Sequence, residues 1–314
     1  GTYNFSDPIV ISADPAKSVS LKLSNMAIIK PLNWADPTVP LIRVGVSEEG
    51  DTIDATVDAA YMTGNESVSI TGGCIFGVGT ASGISVEGGV GTYIYNVSIK
   101  TTPIGIHIKQ GPNALGATYV NVDNVNITGN DKRDWIGVLV EGTYNTFSNM
   151  RIASINFGVK CTETGSKNIF RNIHPLCGIQ SQETAGFWDL SDGNVYDVCY
   201  SDQFAIGFRT TGYAAGIYNN CFCFWYSSQQ EKHTAFKADK GFNSILTNFK
   251  ADFKDKETKN VVLSVGAIDG TGRIDNLSTN KDIVTDFTYL FYEENSNLFE
   301  KIYGFFYLIF GLIG

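Results

Sequence analysis

The chain has 314 residues and a formal net charge of −9, with 18% charged residues, so it lacks the basic composition that general nucleic-acid binding requires. Its content of Gly (33), Tyr (15) and Phe (20) is typical of a β-rich chain with many tight turns. No nucleotide-binding loop, zinc motif or Ser/His/Asp spacing stands out, so the sequence implies no cofactor and no metal.

One short pattern recurs along the chain, and after a longer first interval of 42 residues it returns every 23 to 29 residues: an apolar residue, any residue, Asn, an apolar residue, any residue and a further apolar residue. Its central position is occupied, in chain order, by Asn25, Ser67, Asn96, Asn124, Asn149, Asn172, Asp197, Asn220, Asn248 and Asn276. A fixed period of this length indicates a solenoid. Each Asn is expected to turn inward at a corner and to bond the Asn above and below through its amide, so we interpret the ladder as structural.

A second segment, Gly–apolar–x–apolar, follows the Asn segments. Its copies begin at Gly83, Gly105, Gly137, Gly158, Gly186 and Gly207, with a looser copy at Ala235. Each period therefore contains two short alternating strands. Because the Asn precedes its strand and β-branched residues dominate, the pattern favours a parallel β-helix over a leucine-rich horseshoe. We predict an all-β, right-handed parallel β-helix of about ten coils over residues 1–287.

The apolar segment 288–314 follows this predicted helix. Its end, residues 303–314, is almost wholly apolar but too short to span a bilayer, so no membrane span is predicted. We expect the segment to cap the last coil or to form an oligomer contact, because a solenoid needs its open ends covered.

The N-terminal segment Gly1 to Phe5 (GTYNF), followed by Pro8 to Ile11 (PIVI), resembles the first coil of the pectate-lyase-like superfamily. There a G-x-Y segment follows an amphipathic capping helix, which is missing here before Gly1. Phage tailspikes and tail-fibre depolymerases are frequent members, and the coil pattern extends the resemblance over nearly the whole chain. The resemblance implies a polysaccharide-degrading or polysaccharide-binding β-helix. A calcium-binding Asp cluster of the pectate lyase kind is absent from the sequence.

Alternation along the Gly segments sends one residue of each outward. Stacked coils would place these residues in one column, about 4.8 Å apart: Ser85, His107, Leu139, Lys160, Trp188, Arg209 and Lys237. Cations and an aromatic ring on an acidic protein suit an acidic polysaccharide, since sugars stack on aromatic faces and anionic sugars need cations. The alternative is a solvated strand face that happens to be basic.

A second outward column, from the Asn segments, runs Ser98, Asn126, Arg151, His174, Cys199, Phe222 and Lys250. Between the two segments of a period lie loops of variable length, and such insertions commonly build the binding face of a solenoid. They bring Asp131, Arg133, Asp134, Trp135, Glu183, Asp202, Trp225, Glu231 and His233 towards one edge. We predict substrate binding by Trp135, Lys160, His174, Trp188, Arg209 and Trp225.

Asp189 is the exception to the alternation, because it occupies a core-facing place. Either the strand bulges and turns it outward, or a partner holds it with a shifted pKa. Glu183, Asp189 and Asp202 come from consecutive coils and are the predicted acid/base carboxylates of a hydrolase, which needs two carboxyls about 5 to 9.5 Å apart. A lyase would instead use Lys160, Arg209 and His174 as base and as cations on the uronate carboxylate.

Two functions remain open at this stage: a phage-tailspike-like depolymerase of a bacterial surface polysaccharide, and a receptor-binding or adhesin-type β-helix without catalysis. A bacterial cell-surface structural solenoid is a third possibility. We expect a homotrimer that acts on the virion tail or outside the cell. The six cysteines form no metal set and are expected to be small buried hydrophobes, which indicates synthesis in a reducing cytoplasm.

Overall fold

A computed structural model of the chain describes residues 1–12, 18–46, 68–110, 117–132, 134–178, 183–211, 214–226, 233–254, 261–266, 272–280 and 285–287. These residues form 28 β-strands and no helix. In chain order the strands are β1 Thr2–Phe5, β2 Ile9–Ser12, β3 Ser20–Lys22, β4 Ile28–Pro31, β5 Pro40–Val46, β6 Ser69–Thr71, β7 Cys74–Phe76, β8 Ser82–Val86, β9 Tyr93–Tyr95, β10 Ser98–Lys100, β11 Ile104–Ile108, β12 Asn121–Asp123, β13 Asn126–Thr128, β14 Ile136–Val140, β15 Thr146–Ala153, β16 Phe157–Cys161, β17 Ile169–Leu176, β18 Ala185–Asp189, β19 Val195–Asp197, β20 Tyr200–Asp202, β21 Ile206–Thr210, β22 Ile217–Asn219, β23 Phe222–Trp225, β24 Thr234–Ala238, β25 Ile245–Phe253, β26 Val261–Val265, β27 Arg273–Thr279 and β28 Thr285–Phe287.

The strands form a right-handed parallel β-helix, as the repeat predicts, but it has three faces, so a coil contains three strand segments and not the predicted two. Face 1 contains β3, β6, β9, β12, β19 and β22 with the first halves of β15, β17, β25 and β27, and face 2 contains β1, β4, β7, β10, β13, β20 and β23 with their second halves. These two faces join into one 17-stranded sheet, while face 3 is a separate sheet of 11 strands. The segment predicted as a cap, 288–314, lies outside the described residues.

A column of asparagines marks the corner between faces 1 and 2. Its members adopt the left-handed conformation, with φ between 51° and 60°: Asn96, Asn124, Asn149, Asn172, Asn220, Asn248 and Asn276. Asn tolerates this region better than most residues, which explains the repeat. The amides bond from coil to coil, as Asn276 to Asn248 at 2.7 Å illustrates. The ladder is therefore confirmed, but its predicted inward direction is wrong, because these side chains are exposed.

A buried Asn stack lies elsewhere, at the entrance to face 1. Asn145 donates from Nδ2 to Asn168 Oδ1 at 3.0 Å, and Asn168 donates to Asn194 Oδ1 at 3.2 Å. The backbone N–H groups of Asn145 and Asn168 bond the same oxygens. This stack satisfies the buried polar groups that the exposed ladder was expected to satisfy.

The coil that begins at Val195 is shifted by one residue from the predicted register. The left-handed corner residue is Val198, with φ 54°, and not Asp197. As a consequence Cys199 faces the core with 1% exposure. Tyr200 occupies the position in the outward column of face 2 that was predicted for Cys199. The prediction for Cys199 was wrong because a β-branched residue stands where the other coils have Asn.

The interior is filled by columns of like side chains. One column stacks the rings of Phe147, Phe170, Tyr196 and Tyr218 at centroid spacings of 4.9, 4.9 and 4.7 Å. Such pairs add to the stabilisation by burial. The glycines of the second motif lie where face 3 approaches face 2. A Cβ on Gly137, for example, would meet Gly158 O at 2.6 Å, so the close coil spacing requires Gly there.

Candidate functional site

The outward column of face 3 forms in the predicted register. Consecutive coils align Ser85, His107, Leu139, Lys160, Trp188, Arg209 and Lys237, and the column begins two coils earlier than predicted, with Val10 and then Arg43. Residues far apart in sequence are thus direct neighbours on one wall.

Lys160, Trp188 and Arg209 form the centre of this column, and we call them the cation–Trp strip. Lys160 Nζ lies 4.3 Å from the centroid of the Trp188 ring, and Arg209 Cζ lies 4.5 Å from it. Because the two cations come from the coils on either side of Trp188, they cover both faces of the indole. Trp188 therefore offers a ligand its edge, and not the open ring face on which a sugar would stack.

The two cations of the strip differ in their partners. Arg209 Nε donates to Asp239 Oδ2 at 2.7 Å, and Lys237 Nζ lies 3.0 Å from Asp239 Oδ1. Lys160 forms no ion pair with any carboxylate of the described residues. Burial lowers the pKa of the Lys160 ammonium below its ordinary value, the Arg209 charge lowers it further, and Asp134 opposes both effects. An anion at Lys160 would relieve this repulsion.

In the first coils of the same column the basic side chains are paired with carboxylates of this chain. Arg43 donates to both oxygens of Glu87 at 2.8 and 2.9 Å, and Lys109 Nζ lies 3.1 Å from Glu87 Oε2. Burial alone would raise the pKa of the Glu87 carboxyl, but the Arg43 bonds and the Lys109 charge lower it to about 2. His107 Nε2 lies 3.3 Å from Glu141 Oε1. These basic side chains already have carboxylate partners.

Two predicted binding residues belong to the core instead. Trp135 is 6% exposed and Trp225 is 2% exposed. Trp225 Nε1 donates to Phe204 O at 2.6 Å, and its ring stacks on Phe253 at 4.6 Å. The prediction that these two rings grip sugar was wrong, because Trp225 is an inward-facing residue of strand β23 and Trp135, directly before β14, is buried in the core.

Asp189 lies in the core, as alternation indicates, and not on the outer wall. The strand keeps its register from Cys161 through Asp189 to Thr210, so there is no bulge. Asp189 Oδ1 accepts bonds from Ser191 N, Ser191 Oγ and Asn194 Nδ2 at 3.0, 2.9 and 2.9 Å. Burial raises the pKa of this carboxyl to about 6, although those bonds lower it. A carboxyl with 0% exposure cannot touch a polymer, so its predicted catalytic contact is contradicted.

His174 and Asp202 lie together, but on face 2. His174 Nε2 is 3.6 Å from Asp202 Oδ2, the His174 ring stacks on Tyr200 at 4.2 Å, and Arg151 is the coil neighbour of His174. Face 2 and face 3 belong to different sheets, so these residues do not join the cation–Trp strip.

The corner between faces 2 and 3 places the remaining loop residues. Glu183 is exposed there, directly before Thr184, whose carbonyl accepts a bond from Ile206 N. Asp134 is exposed and close enough to Lys160 to affect its pKa. The predicted loop residues Arg133 and Glu231 lie outside the described residues, and His233 is buried.

Sequence reasoning missed the carboxylates that follow the face 3 strands. Glu87, Glu141 and Asp239 each come directly after the last residue of a strand and bind cations of the column. An acidic residue at that repeated position was a signal in the sequence. That signal would have distinguished the residues that have a carboxylate partner from Lys160, which has none among the described residues.

The described residues contain no cluster of three or more His, Cys, Asp or Glu side chains placed to hold a metal ion. They also contain no helix long and apolar enough to cross a membrane.

Solved structures with the same fold include carbohydrate-active enzymes and an adhesin. No protein-family model matches the chain, and no curated protein matches it. An alginate lyase from a Paenibacillus species aligns with a TM-score of 0.57 at 11% identity over 88% of this chain and 97% of its own. An endo-xylogalacturonan hydrolase from Aspergillus tubingensis gives 0.56 at 14% identity over 89% and 86%. PfbA, a surface adhesin of Streptococcus pneumoniae, gives 0.54 at 12% identity over 92% and 83%. At these identities the likeness establishes the parallel β-helix fold.

Proposed function

We propose that this protein binds an acidic polysaccharide along face 3, with the cation–Trp strip as the centre of the site. The observation that carries the proposal is the pair of cations held against Trp188, one of which, Lys160, has no carboxylate partner among the described residues. Two neighbouring cations repel each other, and an anionic ligand converts that repulsion into attraction.

A polymer suits this wall better than a small molecule. The column follows the stacking direction of the coils, so its groups repeat along a line. Sugar polymers are the substrates or ligands named for two of the similar structures, an alginate lyase and an endo-xylogalacturonan hydrolase. The ligand class of this chain rests on its own charges, because the likeness concerns the fold.

The first experiment measures binding of acidic and neutral polysaccharides to wild-type protein, Lys160→Met and Arg209→Met. Each loss of a cation is expected to weaken binding of the acidic polymers roughly fivefold, as about 1 kcal/mol predicts, and to reduce the salt dependence. Lys250→Met is the matched control, since it removes an exposed cation from face 2. Equal losses in all three variants would mean that only net charge matters and would contradict the site.

Cleavage by β-elimination is the second candidate function, and the lowered pKa of Lys160 favours it. Neutral Lys160 would take the C5 proton of a uronate while Arg209 neutralises the carboxylate. The electrons of the C5–H bond form the C4–C5 double bond, the C4–O bond breaks, and the departing oxygen takes a proton from water. Absorbance of the unsaturated uronate would then rise with pH, whereas binding through protonated Lys160 falls with pH.

Hydrolysis remains the other proposed chemistry, and it would place the reaction outside the cation–Trp strip, with Glu183 at the corner between faces 2 and 3 and Asp202 at the end of β20 as its carboxyls. It predicts new reducing ends without unsaturated products, and their loss in Glu183→Gln and Asp202→Asn. If neither product appears from any bound polymer, the adhesin-type reading without catalysis stands. We further propose the tailspike setting, on a virion tail or outside the cell, as a homotrimer. A monomer mass in light scattering of the full chain would contradict the trimer.

A further inference from the structure

Basic residues occupy alternate coils of the face 3 column from Arg43 to Arg209. Arg43, His107, Lys160 and Arg209 are separated by Ser85, Leu139 and Trp188, each of which is uncharged. Lys237 follows Arg209 directly and ends the alternation; the two share Asp239, which lies 2.7 Å from Arg209 Nε and 3.0 Å from Lys237 Nζ. The column therefore places a basic residue on every second coil up to Arg209.

Within this alternating column, the cations that remain available to a ligand are those of the cation–Trp strip. Arg43 and His107 are occupied by Glu87 and Glu141. Lys160 has no carboxylate partner among the described residues, and there Arg209 bonds Asp239 through Nε, with no bond from its terminal nitrogens. Two cations are thus available to a ligand, with the edge of Trp188 between them and Leu139 beyond Lys160.

The distance between the two open charges follows from the coil spacing. Strands two apart in a sheet are about 9.6 Å apart, twice the spacing of neighbouring strands. The ring centroid of Trp188 lies 4.3 Å from Lys160 Nζ and 4.5 Å from Arg209 Cζ, so the charges cannot be further apart than these two distances together. One extended sugar residue advances its chain by roughly one strand spacing.

We propose that the strip selects acidic polysaccharides that carry a negative group on every second sugar. This inference rests on the proposed function and names its ligand class. Consecutive acidic sugars of such a polymer meet Lys160 and Arg209, while the neutral sugars lie against Leu139 and the Trp188 edge. A polymer charged on every sugar would place carboxylates beside those two uncharged side chains, and an unpaired charged group at such a contact is disfavoured.

The test compares size-matched oligosaccharides by calorimetry at about 0.15 M salt, where long-range attraction is screened. Hyaluronan and unsulfated chondroitin fragments carry a uronate on alternate sugars, whereas oligogalacturonate and oligoalginate carry one on every sugar. We expect at least one alternating ligand to bind about tenfold tighter than both homopolymers, which is the effect of about 1.4 kcal/mol. Equal or tighter homopolymer binding overturns the period while leaving acidic-polysaccharide binding intact. Binding of none of the four overturns both.

Leu139→Lys separates charge period from sugar stereochemistry. It adds a cation on the uncharged coil next to Lys160 and should reduce the preference for alternating polymers several-fold by improving homopolymer affinity. Leu139→Gln is the matched control, since it changes the polarity of the same half-buried position without adding charge, and its ratio should stay at the wild-type value. An unchanged ratio in Leu139→Lys, with the variant folded by circular dichroism, contradicts the inference.

Discussion

Two parts of face 3 use the same kinds of charged residue in opposite ways. In the early coils Glu87 meets Arg43 and Lys109 on one side of the sheet, and the pKa of Glu87 falls to about 2. In the middle coils the sheet separates the charges: Lys160 lies outside and has no carboxylate partner among the described residues, whereas Asp189 lies inside and its pKa rises to about 6. Paired charges hold the coils together, and separated charges leave a cation for a ligand and an acid in the core.

The largest expected effect is the loss of the carboxylate in the early coils. Glu87→Gln leaves Arg43 and Lys109 without their buried partner and should lower the free energy of unfolding by about 3–5 kcal/mol. Urea denaturation at pH 7 measures it. Glu141→Gln is the milder comparison, because the Glu141 side chain is 31% exposed. An equal loss in both variants would contradict the special role of Glu87.

The pH dependence of the two buried carboxyls should have opposite signs. The depressed pKa of Glu87 gives stability that is present above its ordinary 4.5 and is lost as pH falls towards about 2. The raised pKa of Asp189 gives stability that is present below its ordinary 3.8 and is lost as pH rises through about 6. Asp189→Asn should therefore be more stable than wild type at pH 7, by up to about 3 kcal/mol, and should show no such gain at pH 3.5. A gain that does not vary with pH would contradict the raised pKa.

The exposed Asn column provides a reference without charge for these measurements. Val198 is a β-branched residue in the left-handed region, where Asn is tolerated, so Val198→Asn should raise the free energy of unfolding by about 1 kcal/mol at every pH. Val78→Asn is a matched control, with φ 55° and 49% exposure against 54° and 50% for Val198. Any additional gain at Val198 measures the amide bonds to neighbouring coils. A loss at Val198 would contradict the role of Asn at the corner.

The smallest effect on stability is expected at the strip. Lys160→Met removes the repulsion from Arg209 and should leave stability unchanged or raise it by about 0.5 kcal/mol, while binding of acidic polymer falls. Arg43→Met should instead destabilise the protein, because it breaks the pair with Glu87. If both variants lose stability equally, the distinction between paired and open cations is wrong.

The sequence predicted the β-helix and the face 3 column because both follow from period. A repeat of apolar positions fixes which residues alternate inward, and stacking then fixes the neighbours of Lys160, Trp188 and Arg209. The direction of the Asn side chains was not predictable from the spacing alone. It depends on the left-handed backbone at the corner, which turns the amide to solvent while keeping it in register.

The residues at the ends of the strands, next to the loops, were the part of the site that was predicted least well. Trp225 was predicted as a loop residue, but it is the last residue of β23, where alternation directs it into the core. Trp135 lies directly before β14, and its burial depends on the turn that leads into the strand. Asp189 is a residue whose position was predicted correctly, but whose surroundings were not predictable from the sequence. Alternation placed it in the core, and only the bonds from Ser191 and Asn194 show how the core accommodates it.

The Val198 corner shows that a solenoid of this kind keeps its register when one ladder residue is replaced. Tyr196 pairs with Phe170 and Tyr218, and Tyr200 pairs with Phe222, so this coil presents its inward and outward residues at the same positions as its neighbours. Because each coil contacts only its immediate neighbours, the loss of one corner amide interrupts the ladder in one layer and leaves the rest of the stack intact. Point substitutions at single corners can therefore accumulate layer by layer in such a protein without a change of fold.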